Sequence, residues 1–126
     1  MDVNRIFKSA RFLQPSDLEP IRSVVTATAD ATVVAWYVGA HQKIPAHRHP
    51  HGQDTWTILS GRGEYYLDRD GTTTAIEMGD VVIAPVGAVH GVINDRDEPL
   101  IFISIVSPSE AGYELVDTGA FVAYGD

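Results

Sequence analysis

The sequence has no cysteine. That excludes a disulfide framework and any thiolate metal site, so a metal in this chain must use nitrogen and oxygen ligands. Positive charge is scarce as well. Lys8 and Lys43 are the only lysines, and 9 basic residues face 17 acidic ones for a net charge of −8. Binding a nucleic-acid backbone needs clustered Lys and Arg, so no nucleic-acid partner is expected. The opening residues "MDVNRIFKSARFLQPSDLEP" hold no apolar run long enough for a signal peptide or a membrane span. A cytoplasmic chain without membrane contact is the expectation. No convincing 3.6-residue apolar period occurs, nor any internal repeat, low-complexity tract or linker.

What remains is a set of short strands. The 126 residues, 44% apolar and 21% charged, fit one domain with one core. From Ser23 onward, segments rich in Val, Thr and aromatics alternate with turns: "SVVTATA", "TVVAWYVG", "TWTILS", "GEYYLD", "TTTAIE", "DVVIAP", "HGVIN" and "LIFISIVS". Turn signals recur about every 8–12 residues, as in a sandwich or barrel. Residues 1–22 are predicted to be an extension that packs Phe7, Phe12 and Leu13 on the barrel or on a partner subunit. Within it, "PSDLEPI" allows a short helical turn capped by Ser16 and limited by Pro20. Residues 23–126 form the barrel domain.

The stretch "HRHPHGQD", residues 47–54, carries the chemistry. Side chains alternate faces along a strand, so His47 and His49 share a face. Two imidazoles at that spacing can reach one ion. Pro50 and Gly52 then interrupt the strand, which leaves His51 at the rim. Trp56 and Ile58 mark the inward face of the next strand, and Asp54 is in phase with them while Gln53 is not. A buried carboxylate needs a partner, and a metal beside the two histidines would be one. His90, at the head of "HGVIN", is a fourth candidate. Alone it reads as a core histidine; the first cluster is what raises it above that.

These residues resemble the cupin superfamily. Its first motif runs from Gly39 through His47 and His49 to an acid, with six residues from Asp54 to Gly61. Its second motif is matched at every position by Gly79, Pro85, Gly87, His90 and Asn94. The resemblance implies an all-β, RmlC-like double-stranded β-helix, the small cupin jelly-roll barrel. It also implies one divalent transition metal (Mn, Fe, Ni, Co, Zn or Cu) bound by His47, His49, His90 and an acid. Two departures stand out. The family usually has Glu where this chain has Asp54, which keeps Gln53 as the alternative ligand. The gap from Gly39 to His47 is also longer than the family's.

Three imidazoles and a carboxylate leave positions open on an octahedral ion for water or substrate. A metalloenzyme acting on a small oxygenated organic molecule is the first expectation; isomerase, lyase, decarboxylase and dioxygenase are not distinguished. A non-catalytic small-ligand sensor with a structural metal is the alternative, and a surface-binding or storage role is a third. Phase places Trp56 and Ile58 in the substrate pocket. Trp36, Tyr65 or Tyr66, Val92, and Phe102 or Ile103 are further candidates. Asn94 and His41 read as structural. The resemblance also implies a homodimer.

Overall fold

Along one strand, Leu100, Phe102, Ser104 and Val106 are buried on one side, while Ile101, Ile103 and Ile105 alternate with them on the other. The same period of two runs through most of the chain, and it folds the strands into two facing sheets. The computed structural model describes residues 5–117 of the 126; the ends of the expected extension (1–4) and of the expected barrel domain (118–126) lie outside the described residues.

The strands are β1 (Ser23–Ala27), β2 (Thr32–Val38), β3 (Lys43–Arg48), β4 (Gln53–Ser60), β5 (Arg62–Tyr66), β6 (Thr73–Glu77), β7 (Val81–Ala84), β8 (His90–Ile93), β9 (Leu100–Ser107) and β10 (Glu114–Leu115). One sheet has the order β1-β2-β9-β4-β7 and the other β10-β3-β8-β5-β6. Every pairing is antiparallel. This is the all-β jelly roll expected from the sequence. No helix among the described residues is long and apolar enough to cross a membrane.

Register stacks the inward residues of the first sheet in rows. Thr32, Val106, Asp54 and Ala84 form the row at one end, and Val34, Ser104, Trp56 and Val82 the next. Trp36, Phe102 and Ile58 follow, and Val38 and Leu100 close the far end. The deep rows are apolar: Ile58, Phe102, Leu100 and Val38 are all at or below 1% exposure, and they pack with Tyr65, Ile76 and Val92 from the second sheet. Trp56 stacks on Phe102 with ring centroids 4.1 Å apart. Such offset stacking adds to the apolar area both rings bury.

Asn94 closes the far end. It is fully buried, and its side-chain amide donates to the carbonyls of Val38, Gly39 and Glu98 while its oxygen accepts from Arg96 N–H. It therefore ties β8 to the turn after β2, which accounts for a motif residue that makes no contact with the histidines.

The helical turn expected at residues 15–21 does not form. Ser16 Oγ accepts from Leu18 N–H in a tight bend instead, and a 3₁₀ turn lies upstream at Ser9–Phe12. Two prolines flanking so short a segment leave too few amide donors for a helix. Phe7 packs edge-on against Phe12 at 6.3 Å. The segment that follows is fastened to the barrel by Gln14 Nε2, which donates to Ser23 Oγ, and by Gln42 Nε2, which donates to the carbonyls of Ser16 and Leu18.

Candidate metal centre

Local backbone geometry brings the polar residues of three strands to one end of the barrel. His47 on β3 lies directly across from His90 at the start of β8. β3 is irregular between Ile44 and His47, and β8 passes very close to it there. A Cβ on Gly91 would sit 2.7 Å from the Ile44 carbonyl and 2.9 Å from that of Pro45, so only glycine allows the approach. The His47 and His90 rings end 4.2 Å apart. His49 follows just beyond the end of β3. Its carbonyl accepts from Gly87 N–H at 3.0 Å, which joins the Pro85–Gly87 turn to the His47–His49 segment. The chain then turns at Pro50–Gly52 and enters β4, with Asp54 inward and buried and Gln53 outward and exposed.

One ligand-capable atom each from His47, His49, Asp54 and His90 lies within 4.8 Å of the others, a grouping that could hold a metal ion. The tautomers follow from the hydrogen bonds. Each Nδ1 faces a backbone carbonyl: Pro45 for His47 at 2.8 Å, Gly112 for His49 at 2.8 Å, and Ala88 for His90 at 3.0 Å. A carbonyl only accepts, so all three Nδ1 atoms carry the proton. In a neutral imidazole this leaves Nε2 as a bare lone pair. Two such atoms point at a single oxygen: Asp54 Oδ2 lies 2.9 Å from His90 Nε2 and 3.3 Å from His49 Nε2. Lone pairs facing a carboxylate repel unless a cation, either a proton or a metal, lies among them. The other carboxylate oxygen, Oδ1, accepts from Ser104 Oγ–H at 2.5 Å.

Burial pushes the His47 pKa down to about 3, and the neighbouring His90 adds to the effect, so His47 is neutral near pH 7. Burial acts on His49 in the same direction, but hydrogen bonds to Asp54 and to the Gly112 carbonyl outweigh it and raise its pKa. Burial alone would raise Asp54; hydrogen bonds from His49, His90 and Ser104 hold it well below the ordinary carboxylate value. A deprotonated carboxylate beside the neutral His47 imidazole is the state in which such groups ligate metals.

A 470 Å³ cavity opens beside this cluster, and its wall includes His47, His49, Asp54, Trp36 and Trp56. Trp36 and Trp56 stand where phase put them. Ile58, Tyr65, Val92 and Phe102 do not line the cavity; they belong to the packed core beneath it. Alternation reports the face a residue points to but not its depth along the barrel, and these four lie in deeper rows. Tyr66 faces away from the barrel interior, buried with Ala46 and Val116, and Ile103 is on the outer face. His51 is exposed in the turn, and Gln53 Nε2 bonds only to Thr55 Oγ1.

Several site residues escaped the sequence reading. Ser104 was accessible to it, as a lone hydroxyl at an inward position of an apolar strand. Gly112 and Tyr113 carry no such mark, because they sit on a loop without periodicity. Tyr113 nevertheless packs over the cluster, its ring 5.1 Å from His47 and 6.1 Å from His49. Arg22 lines the cavity from the segment before β1.

Residues 34–106 match the family model described as "Cupin domain". The chain belongs to the cupin family. A cupin barrel of this kind is seen in an uncharacterized conserved protein with a double-stranded β-helix domain from Klebsiella pneumoniae. It is 48% identical, with a TM-score of 0.86, over 90% of this chain and 97% of that one. A gentisate 1,2-dioxygenase from a Streptomyces species is 32% identical over 92 residues, 66% of this chain and 25% of that protein. An uncharacterized protein from Aquifex aeolicus is 37% identical over 70 residues, 56% of this chain and 55% of that protein. The cupin chain thus spans a quarter of the first of these curated relatives and about half of the second. Oδ2 of its aspartate, Asp54, lies 2.9 Å from His90 Nε2.

Proposed function

We propose that this cupin is a metalloenzyme acting on a small oxygenated organic molecule, with one divalent transition metal held by His47, His49, Asp54 and His90. The observation that carries this reading is the convergence of the His49 and His90 Nε2 atoms on Asp54 Oδ2, with each Nδ1 turned to a backbone carbonyl. Fixed tautomers and a hydrogen-bonded carboxylate are what a metal site needs around its ligands. When bound, the ion would supply Lewis acidity and open positions for substrate or oxygen. The chain's own residues bind and orient: Trp36 and Trp56 wall the cavity, Ser104 holds Asp54, and Tyr113 partly covers the histidines.

Among the reactions open to such a site, oxidation by dioxygen is favoured. The titratable groups on the cavity wall are Arg22, Tyr113 and the cluster members. Among the described residues no carboxylate or histidine outside the cluster lines the wall, so the proton transfers of isomerase or lyase chemistry would fall to Tyr113. The partial likeness to a gentisate 1,2-dioxygenase points the same way. The same lack of a free base also supports a second reading, a non-catalytic binder of small ligands.

Elemental analysis tests the metal assignment. Purified protein should hold about one transition-metal equivalent, and H49A and H90A should lose it while keeping the wild-type circular dichroism spectrum. Full occupancy in those variants would refute the assignment. Oxygen uptake with gentisate, catechols, 2-oxo acids and sugar acids then separates enzyme from binder: turnover supports the first reading, and saturable binding without turnover the second.

We also propose a homodimer, formed through the outer face of the β1-β2-β9-β4-β7 sheet. Ile105 and Ile83 flank Thr55 there, and Ile103 and Val81 flank Thr57. Val81 is 63% exposed and Ile83 55%. Adjacent exposed apolar side chains on one sheet face mark an interaction surface. Light scattering should give twice the chain mass, and a monomer at micromolar concentration would contradict the proposal.

A further inference from the structure

Two features of the cavity play no part in holding an ion. The first is Arg22, the one cation on the wall among the described residues. It lies close enough to His49 for its charge to be felt there, yet no carboxylate among the described residues pairs with it. The second is Trp56, whose side chain is 2% exposed and whose indole Nε1–H is buried with no hydrogen-bond partner among the described residues. A buried donor without an acceptor is costly, and native proteins keep few of them. An acceptor supplied by a ligand would satisfy it.

Charge points the same way. The chain as a whole carries −8, but among the described residues the only charged groups on the cavity wall besides the histidines are Asp54, already engaged, and Arg22. A divalent ion at the cluster would make this end of the barrel positive within an acidic protein. Much of the remaining wall is apolar and partly flat (Trp36, Trp56, Val34, Val106, Ile44 and Ala111), with the hydroxyls of Thr32, Ser104, Ser109 and Tyr113 among it.

We propose that Arg22 is the anion anchor of the cavity and that the ligand is a small organic carboxylate with a flat apolar body. Its carboxylate sits on the Arg22 guanidinium, its body lies against the two indoles, and an oxygen substituent accepts from Trp56 Nε1–H or faces the histidine cluster. Arginine suits this task because its planar fork matches a carboxylate with two parallel hydrogen bonds. The proposal deepens the functional reading above and rests on it for the identity of the site, but Arg22 does not itself depend on a metal.

Trp36 and Trp56 are the only tryptophans of the chain, and both line the cavity, so intrinsic fluorescence reports its occupancy. Benzoate and its neutral isostere benzamide are titrated into wild type, R22Q and R22K, each after EDTA treatment and again with added Zn²⁺. Wild type should bind benzoate at least about tenfold more tightly than benzamide, the low end for a charge-assisted pair because Arg22 is exposed. R22Q should lose that preference with benzamide binding unchanged, which also shows that the variant is folded; R22K should keep part of it. A preference that survives in R22Q, or no binding of either probe at millimolar concentration, overturns the proposal. A preference present only with Zn²⁺ and indifferent to R22Q would place the carboxylate at the cluster, overturning this proposal while sparing the metal reading. An Arg22-dependent preference in a protein that binds no metal would do the reverse.

Discussion

Replacing Asp54 by asparagine tests the lone-pair argument directly, because its sign depends on what lies between the carboxylate and the imidazoles. In metal-free protein at a pH high enough to leave the imidazoles neutral, the protons on Nδ1 leave both Nε2 atoms bare. Oδ2 then faces lone pairs at 2.9 and 3.3 Å, in a site where Asp54 is 4% exposed. The amide of D54N can place N–H at that position and donate to His90, while its oxygen still accepts from Ser104. One gained hydrogen bond contributes about 1 kcal/mol, and removing a buried charge from facing lone pairs about as much again. The variant should therefore be stabilised by about 2 kcal/mol, a Tm rise of about 8 °C for a domain of this size. On acidification His49 becomes charged, its pKa being raised, and the carboxylate gains an ion-pair partner. D54N should now be the less stable protein by about 3 kcal/mol. With metal at about 1,000 times the wild-type Kd, wild type should gain about 4 kcal/mol, and a variant binding about 100-fold more weakly only about 1.4 kcal/mol. Thermal melts followed by circular dichroism, with EDTA or Mn²⁺ at the two pH values, read all three quantities. If D54N lowers the Tm of EDTA-treated protein at the high pH as well, protons already bridge these groups and the argument for a missing cation collapses.

Three further outcomes follow from the packing and hydrogen bonds. S104A leaves Asp54 Oδ1 without its 2.5 Å donor; metal affinity should fall about tenfold or more and stability by about 1–2 kcal/mol, and unchanged affinity in a metal titration would remove Ser104 from the site. F102A, at a fully buried position stacked on Trp56, should cost about 3–5 kcal/mol in urea unfolding, and a cost below about 1 kcal/mol would contradict the row packing. The pH dependence has a defined sign. The His47 pKa is about 3 folded against 6.5 ordinarily, so the unfolded chain binds the extra proton and the metal-free protein should lose stability as pH falls from 6.5 towards 3. The limit for His47 alone is about 4 kcal/mol, reduced by His49, whose raised pKa acts oppositely; H47Q should flatten the loss, and an identical profile in wild type and variant would refute the assignment.

Strands were readable because each carries its own evidence. "LIFISIVS" alternates cleanly and ends before a proline, and β9 occupies those eight residues. Asp54 was placed inward by counting back from Trp56, and no irregularity interrupts β4 between them. The helical turn that Ser16 allowed at residues 15–21 does not form, because Pro15 and Pro20 leave too few amide donors between them. Ile58, Tyr65, Val92 and Phe102 were assigned to the pocket because a period of two has no coordinate along the strand axis. Depth is set by register between strands far apart in sequence, such as Ile58 opposite Phe102. The loop bearing Gly112 and Tyr113 was silent for a related reason: what it contributes is a carbonyl and a ring position, and neither has a residue-type signal.

That loop has a consequence for how the proposed ion would be acquired. His49 is braced by Gly112, 63 residues further along the chain, and Asp54 by Ser104, 50 residues away. A nascent chain exposing only the His47–His49 pair offers two freely rotating imidazoles and no aligned acid. Strong binding therefore arises only when distant segments have come together, so loading is a late event that reads out completed topology. A chain truncated just before Ala111 would retain all four proposed donors in name and still be a poor chelator, since the carbonyl that aims His49 would be missing.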